Sequence, residues 1–193
     1  MAIGIGIHLS VNDEIPTDPS RQQHLLSASE RLVTARSIPE VVEVLRDTAR
    51  QTVGAEGIAV VLKDGDRCAY VAEDSVSPLW QGESFPQEAC ISGWAMRHGQ
   101  TVAIRDVRLD ERIPQEAYAR TFVRSLVMVP IGRPEPVAAL GAYWSEVADH
   151  DNDEAPGVAI VSLPGNFSRC NKILQLCRKS GSLFDDFVER NFD

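Results

Sequence analysis

Three sets of side chains in this chain could do chemistry. The first is thiol: Cys68, Cys90, Cys170 and Cys177. None forms a CxxC pair, and none stands at zinc-ligand spacing from a histidine, so no metal site or dithiol motif is spelled out. Cys90 differs from the others in context. It lies just before a helix start and near Arg97, where backbone N–H groups and a guanidinium could lower a thiol pKa from about 8.5. A thiolate there would serve as a redox sensor or a covalent attachment point; the competing reading is a small buried hydrophobe. The second set is aromatic. Phe85, Trp94, Tyr118 and Trp144, joined by Ile104, could line a ligand cleft of roughly 300–1,000 Å³, against the plainer reading that Trp94 and Trp144 fill the core. The third is a mixed run, Arg105, Asp106, Arg108, Asp110, Glu111 and Arg112, which reads as a polar latch over a ligand or as a solvated loop. His24, His98 and His150 are isolated, which suits surface or helix-end roles better than haem or metal ligation.

The rest of the composition narrows the setting. A chain of 193 residues suits one domain plus extensions. Its net charge of −9 argues against nucleic acid and anionic lipid surfaces as partners. No apolar run approaches the roughly 18 residues of a membrane span. The apolar opening from Met1 to Ser10 lacks the basic flank of a secretory signal, so a cytoplasmic protein with free thiols is expected.

The elements that must position these residues follow from periodicity. Asp18 and Pro19 open a helix, the carboxylate as cap and the proline where no N–H is needed. Leu25, Leu26, Leu32 and Val33 give it an apolar stripe, a candidate homodimer seam. Ser37 and Glu40 form a capping box for a second helix, whose buried stripe is Val41, Val42, Leu45, Ala49 and Val53 and whose stop is Gly54. The period then falls to two. Ile58–Leu62 and Cys68–Glu73 read as strands joined at Asp64-Gly65-Asp66, and Ser75–Pro86 reads as a loop. Ser92 is expected to cap a short helix from Gly93 to the stop at Gly99. A strand over 100–107 follows, with Val102 and Ile104 facing the core. Pro114 opens a short helix carrying Tyr118 and Phe122. Two strands close the pattern, Leu126–Ile131 and Val137–Trp144, with a proline-containing turn between them. Helices set beside an antiparallel sheet make an α+β domain over residues 20–150, after a flexible lead over 1–19.

Residues 151–193 change character. From Glu154 onward five acids balance five bases, so the negative charge lies in the preceding residues. A helix is expected over 168–179, with another opened by Ser182.

The segments FPQEACISGWAMRHGQTVAIRDV from Phe85, DERIPQEAYARTFVRSLVMVPI from Asp110 and PVAALGAYW from Pro136 resemble the GAF family of sensory domains, as does LLSASERLVTARSIPEVVEVL from Leu25. More narrowly they resemble the N-terminal GAF modules of bacterial sensor histidine kinases of the HWE type. The resemblance covers about residues 20–146. It implies a PAS-like central antiparallel sheet flanked by helices, a pocket between sheet and middle helix, and terminal helices that pair between protomers. It also implies an input module for bacterial two-component signal transduction that binds a small molecule or senses redox state, with no catalysis or cofactor of its own. The partners would be an unidentified small molecule, a second copy and a histidine kinase, whose phosphoacceptor and nucleotide motifs this sequence lacks. The ligand residues expected are Phe85, Cys90, Trp94, Ile104, Asp106, Tyr118 and Trp144. Free methionine sulfoxide reductases are GAF enzymes with cysteines where this sequence has Ser92 and the stretch Gln115–Ala119, which argues against that chemistry. A thiol reductase using Cys90 with Cys68 and a ligand-free dimerisation module are the alternatives. No cysteine is directly followed by a histidine, as bilin attachment asks. GAF domains continue into a long signalling helix, which Pro156, Gly157, Pro164 and Gly165 interrupt here, so the tail is expected to be divergent.

Overall fold

The computed structural model describes residues 19–132 and 134–150. Residues 1–18 of the expected lead, the stretches expected as tail helices, Cys170 and Cys177 lie outside them.

Helix α1 spans Pro19–Thr34 and α2 spans Ile38–Val53. Ser37 separates them in extended backbone (φ −136°, ψ 161°), and its Oγ accepts the Glu40 N–H at 3.4 Å. The Glu40 carboxylate reaches back, accepting from the Arg36 N–H at 2.8 Å and from Ser37 Oγ at 3.0 Å. The capping box is thus present, shifted by one donor, and these bonds hold the Glu40 carboxyl below its usual range, the Arg36 N–H most of all. All five stripe residues of α2 are buried, and Gly54 ends the helix at φ 66°. The α1 stripe splits. Leu32 is 1% exposed and packs into the core, whereas Leu26 and Val33 face outward at 66% and 38%. Among the described side chains of the stripe, Leu26 and Val33 are the ones open to another molecule.

Six strands form one antiparallel sheet: β1 (Gly57–Asp64), β2 (Arg67–Ser75), β3 (Ser84–Pro86), β4 (Val102–Ile104), β5 (Ser125–Ile131) and β6 (Ala138–Trp144). Their order across the sheet is β3-β2-β1-β6-β5-β4. Ala103 lies opposite Val127 and Val129 opposite Leu140, so the two central closing strands and β4 share this sheet as the alternation requires. Among the described residues no helix is long and apolar enough to cross a membrane. The class is α+β.

Four local features depart from the sequence reading. Residues 84–86, expected as loop, pair with β2 as an edge strand. Helix α3 spans Ile91–His98, and its N-cap is Cys90, whose carbonyl accepts the Trp94 N–H at 3.1 Å. Ser92 is therefore inside the first turn and fully buried. The β4 strand stops at Ile104, because Asp106 turns the chain: its Oδ1 accepts the Arg108 N–H at 3.0 Å and its carbonyl the Leu109 N–H at 3.1 Å. Helix α4 is one turn, Gln115–Tyr118. Thr121 closes it by bonding the Tyr118 carbonyl through both its N–H and its hydroxyl, which leaves Phe122 beyond the helix.

The sheet separates two cores. On one face α1 and α2 cover an aliphatic cluster with Val60, Leu62, Ile131, Leu140 and Ala142. On the other face α3, α4 and their loops cover Cys68, Tyr70, Trp80, Cys90, Tyr118 and Tyr143 together with aliphatic side chains.

Candidate functional site

The second face is where polar and reactive groups are buried, and strand register puts them there. Successive side chains of a strand point to opposite faces, so Ala139 and Tyr143 face α3 while Leu140 and Ala142 face α2. Tyr143 is fully buried, and a Cβ on Gly141 would fall on its hydroxyl, so only glycine leaves the phenol room. Trp80 is the hub of the aromatic cluster. Its ring lies 4.7 Å from Tyr118, 5.5 Å from Tyr143 and 5.6 Å from Tyr70 between centroids, and its Nε1 donates to the Ala117 carbonyl at 3.4 Å. Phe85 meets the edge of Tyr70 at 5.5 Å. Glu73 fixes the loop that delivers Trp80, its carboxylate accepting the N–H groups of Leu79, Trp80 and Gln81 at 3.0–3.1 Å. The hydroxyls of Tyr118 and Tyr143 are buried without a hydrogen-bond partner among the described residues. Burial pushes both phenol pKa values well up, so both remain neutral donors.

Beside this cluster stands a thiol site. Helix α3 docks closely because residue 93 is glycine: a Cβ there would fall on the backbone of Gln87. Gln87 in turn is anchored to the β1–β2 turn, its N–H donating to the Asp66 carbonyl at 2.9 Å and its Nε2 to the Gly65 carbonyl at 2.7 Å. This places Cys90 against Cys68 of β2, both free and buried. Ser92 Oγ donates to Cys90 Sγ at 3.3 Å and lies 3.2 Å from the Tyr70 hydroxyl. The hydrogen bond from Cys68, then those from Ser92 and the Gly93 N–H, with the charge of Arg97, bring the Cys90 thiol down to about 6. Cys68 moves the opposite way, first because it is the donor to Cys90 and then because it is buried.

An open cleft of about 410 Å³ lies between the β4–α4 loop and α4, lined by Val107, Arg108, Gln115, Tyr118, Ala119, Thr121 and Val123. Gln115 holds the loop in shape, its Nε2 donating to the Val107 carbonyl at 2.8 Å. Two acidic side chains of the loop, Asp106 and Asp110, are committed to arginines and backbone N–H groups. Asp106 bonds the Arg108 N–H and, at 3.2 Å, the Arg124 guanidinium. Asp110 takes Arg112 in a two-pronged pair, Nε at 2.9 Å and Nη2 at 2.6 Å. Both carboxyls sit below their usual range, Asp106 chiefly through the Arg108 N–H and Asp110 chiefly through the Arg112 guanidinium.

The expected ligand residues divide accordingly. Tyr118 lines the cleft. Cys90, Ile104 and Tyr118 share the second core, with Phe85 and Trp94 packed against it. Trp94 is held at the rim, stacked on His98 at 4.0 Å and under the Arg112 guanidinium at 4.9 Å. Asp106 staples the loop. Trp144 is on the opposite face, where its Nε1 donates to the Gly54 carbonyl at 3.0 Å and its ring stacks on His150. Tyr70, Trp80 and Tyr143 were not singled out as ligand residues. Alternation carried the signal: Tyr70 is two residues from Cys68 on one strand, and Tyr143 takes the inward phase that its neighbour Trp144 cannot.

A family profile described as "GAF domain" matches residues 35–155. Among solved structures, the GAF domain from Acinetobacter phosphoenolpyruvate-protein phosphotransferase aligns with TM-score 0.66 at 12% identity, covering 86% of this chain and 99% of that one. Free methionine-R-sulfoxide reductase from Neisseria meningitidis aligns with TM-score 0.67 at 15% identity, covering 81% and 91%. The chromophore-binding domain of a bacteriophytochrome from R. palustris aligns with TM-score 0.64 at 14% identity, covering 86% and 64%. Likeness at these identities is a likeness of fold. Among curated proteins no sequence matches significantly.

Proposed function

The chain belongs to the GAF domain family, and from that premise we propose that it is a small-molecule sensory module, the input of a bacterial signalling protein of the histidine kinase type. The observation that carries this reading is the cleft at α4. It is of ligand size, it has a cationic side chain in Arg108, and one wall is Tyr118, whose buried hydroxyl has no partner among the described residues. A buried donor without a partner costs about 1–3 kcal/mol, so a ligand acceptor reaching it would gain what the unliganded fold forgoes. The signal would leave through the sheet. Tyr118 touches Trp80, Trp80 touches Tyr143 of β6, and the far face of β6 packs under α2. Helix α1 lies on α2 and offers Leu26 and Val33 to a second copy, which would make the output a change in dimer geometry.

Native mass spectrometry of the gently purified chain tests the reading. A co-purifying small-molecule mass in the wild type, depleted about tenfold in Arg108→Ala, supports it. A co-purifying mass unchanged in that variant removes the α4 cleft as its site.

A thiol reductase on Cys90 and Cys68 has the contact between the two thiols in its favour. Burial speaks against it, since Cys68 is 0% and Cys90 5% exposed and an amino-acid-sized substrate must reach the sulfur. Turnover of free methionine sulfoxide that disappears in Cys90→Ser would put the enzyme reading first. The ligand-free dimerisation module is the reading favoured if no ligand of any class binds and Leu26→Glu alone abolishes dimers.

A further inference from the structure

We infer that Cys68 and Cys90 form a peroxide-oxidised dithiol, a modification site that cross-links β2 to the first turn of α3. The inference stands on the meeting of two thiols and does not depend on the ligand reading of the α4 cleft.

Two independent restraints bring the sulfurs together. Pairing of β2 with β3 sets Cys68 opposite Phe85, and the two Gln87 bonds return the chain across the β1–β2 turn so that Cys90 lands on Cys68. The environments of the two are unequal in the way a nucleophile and a resolving thiol require. Cys90 is the N-cap of an eight-residue helix, receives the Ser92 hydroxyl at 3.3 Å and lies near Arg97. Cys68 is surrounded by strand and aromatic side chains and is the donor of the pair. Both are buried, but Cys68 lies next to the edge of the sheet, where β3 is a three-residue strand whose side chains are all half-buried. Hydrogen peroxide, scarcely larger than water, needs only a local opening of that edge, which larger oxidants would find harder.

The chemistry balances with a hydroperoxide as oxidant. The Cys90 thiolate attacks the terminal oxygen, the O–O bond breaks, and the departing alkoxide or hydroxide takes a proton, leaving Cys90 as sulfenic acid. Cys68 sulfur then attacks the Cys90 sulfur. The S–OH bond breaks, the Cys68 proton leaves with the hydroxyl as water, and the disulfide closes. Two thiols lose two electrons and two protons, while the peroxide is reduced to water or an alcohol and water. An external dithiol reverses the step. Closure would take Cys90 sulfur away from the Ser92 hydroxyl, and through it perturb the link to Tyr70 in the aromatic cluster.

The test uses the full chain treated with hydrogen peroxide and digested without reductant. The expected product is a peptide pair joined through Cys68 and Cys90, two mass units lighter than the dithiol form and restored by dithiothreitol. In Cys68→Ser, dimedone should trap the Cys90 sulfenic acid. The wild-type Cys90 oxidation rate should rise far less from pH 6 to pH 8 than the roughly seventyfold of a thiol with an ordinary pKa near 8.5. The inference is overturned if the bridge forms instead with Cys170 or Cys177, if the pair stays reduced, or if Cys68 oxidises first. Should the Cys68→Ser chain fail to fold, the wild-type mass map and pH dependence decide alone.

Discussion

The two faces of the sheet are built from the same strands and differ in almost every chemical respect. Under α1 and α2 the core is aliphatic: Leu32, Val41, Leu45, Val60, Leu62 and Leu140 meet with no buried hydroxyl of the described residues left unpaired between them, although His24 Nδ1 of α1 is buried without a partner among those residues. Under α3 and α4 the sheet's Cys68, Tyr70 and Tyr143 meet Cys90, Trp80 and Tyr118, and two phenol hydroxyls have no partner among the described residues. Burying hydrocarbon gains about 25 cal/mol per Å², whereas an unmet hydroxyl costs. The first face therefore stabilises the fold, and the second spends part of that stability on polar groups held ready.

Substitutions can break or sharpen this contrast. The largest effect should come from Leu140→Ala in the middle of β6, which removes a side chain 2% exposed from the aliphatic core; urea unfolding should show a loss of about 2–5 kcal/mol. Peroxide sensitivity of Cys90 should stay within twofold, and a large change there would show that the faces are not separable. Gly93→Ala sharpens the other side. Its methyl must displace the Gln87 backbone, so stability should fall by about 1–3 kcal/mol and Cys90 should become more open to alkylating reagents. Ser37→Ala removes the α2 cap and should cost about 1 kcal/mol, with no effect on the thiols. Tyr143→Phe reverses the sign: deleting a buried, unpartnered hydroxyl should leave stability unchanged or raise it by about 1 kcal/mol. A loss of similar size would mean that the hydroxyl has a partner in solution. Smallest is Leu26→Glu on the open side of α1, which should alter stability by no more than about 0.5 kcal/mol while reducing the sedimentation coefficient if that surface pairs two copies. Leu32→Glu cannot serve for this purpose, because Leu32 lies in the protein's own core.

Much of the fold on both faces was legible from residues alone, and the reason is periodicity. The α2 stripe, the Ser37–Glu40 box, the stops at Gly54 and Gly99 and the inward pair Val102 and Ile104 each follow from a local rule that tertiary contacts reinforce. The candidate site was legible only in fragments. Tyr118 could be placed because it falls in the helical stretch that covers the cleft. Tyr143 was passed over for Trp144, since a one-residue change of phase decides the face and both are aromatic. Serine at a helix start usually caps it, but here Cys90 occupies that place and Ser92 is turned inward to Tyr70. The meeting of Cys68 with Cys90 depends on β3 and on the Gln87 bonds, neither of which any local pattern announces.

The central claim is that recognition belongs to the α3–α4 face and folding stability to the α1–α2 face. Chemical-shift mapping of a small-fragment library on the labelled chain addresses it most directly, since it presupposes no ligand. Perturbations should gather at Val107, Gln115, Tyr118 and Thr121 and pass to Trp80 and Tyr143. Hits gathered instead beneath α1 and α2, or spread evenly over the surface, would contradict it.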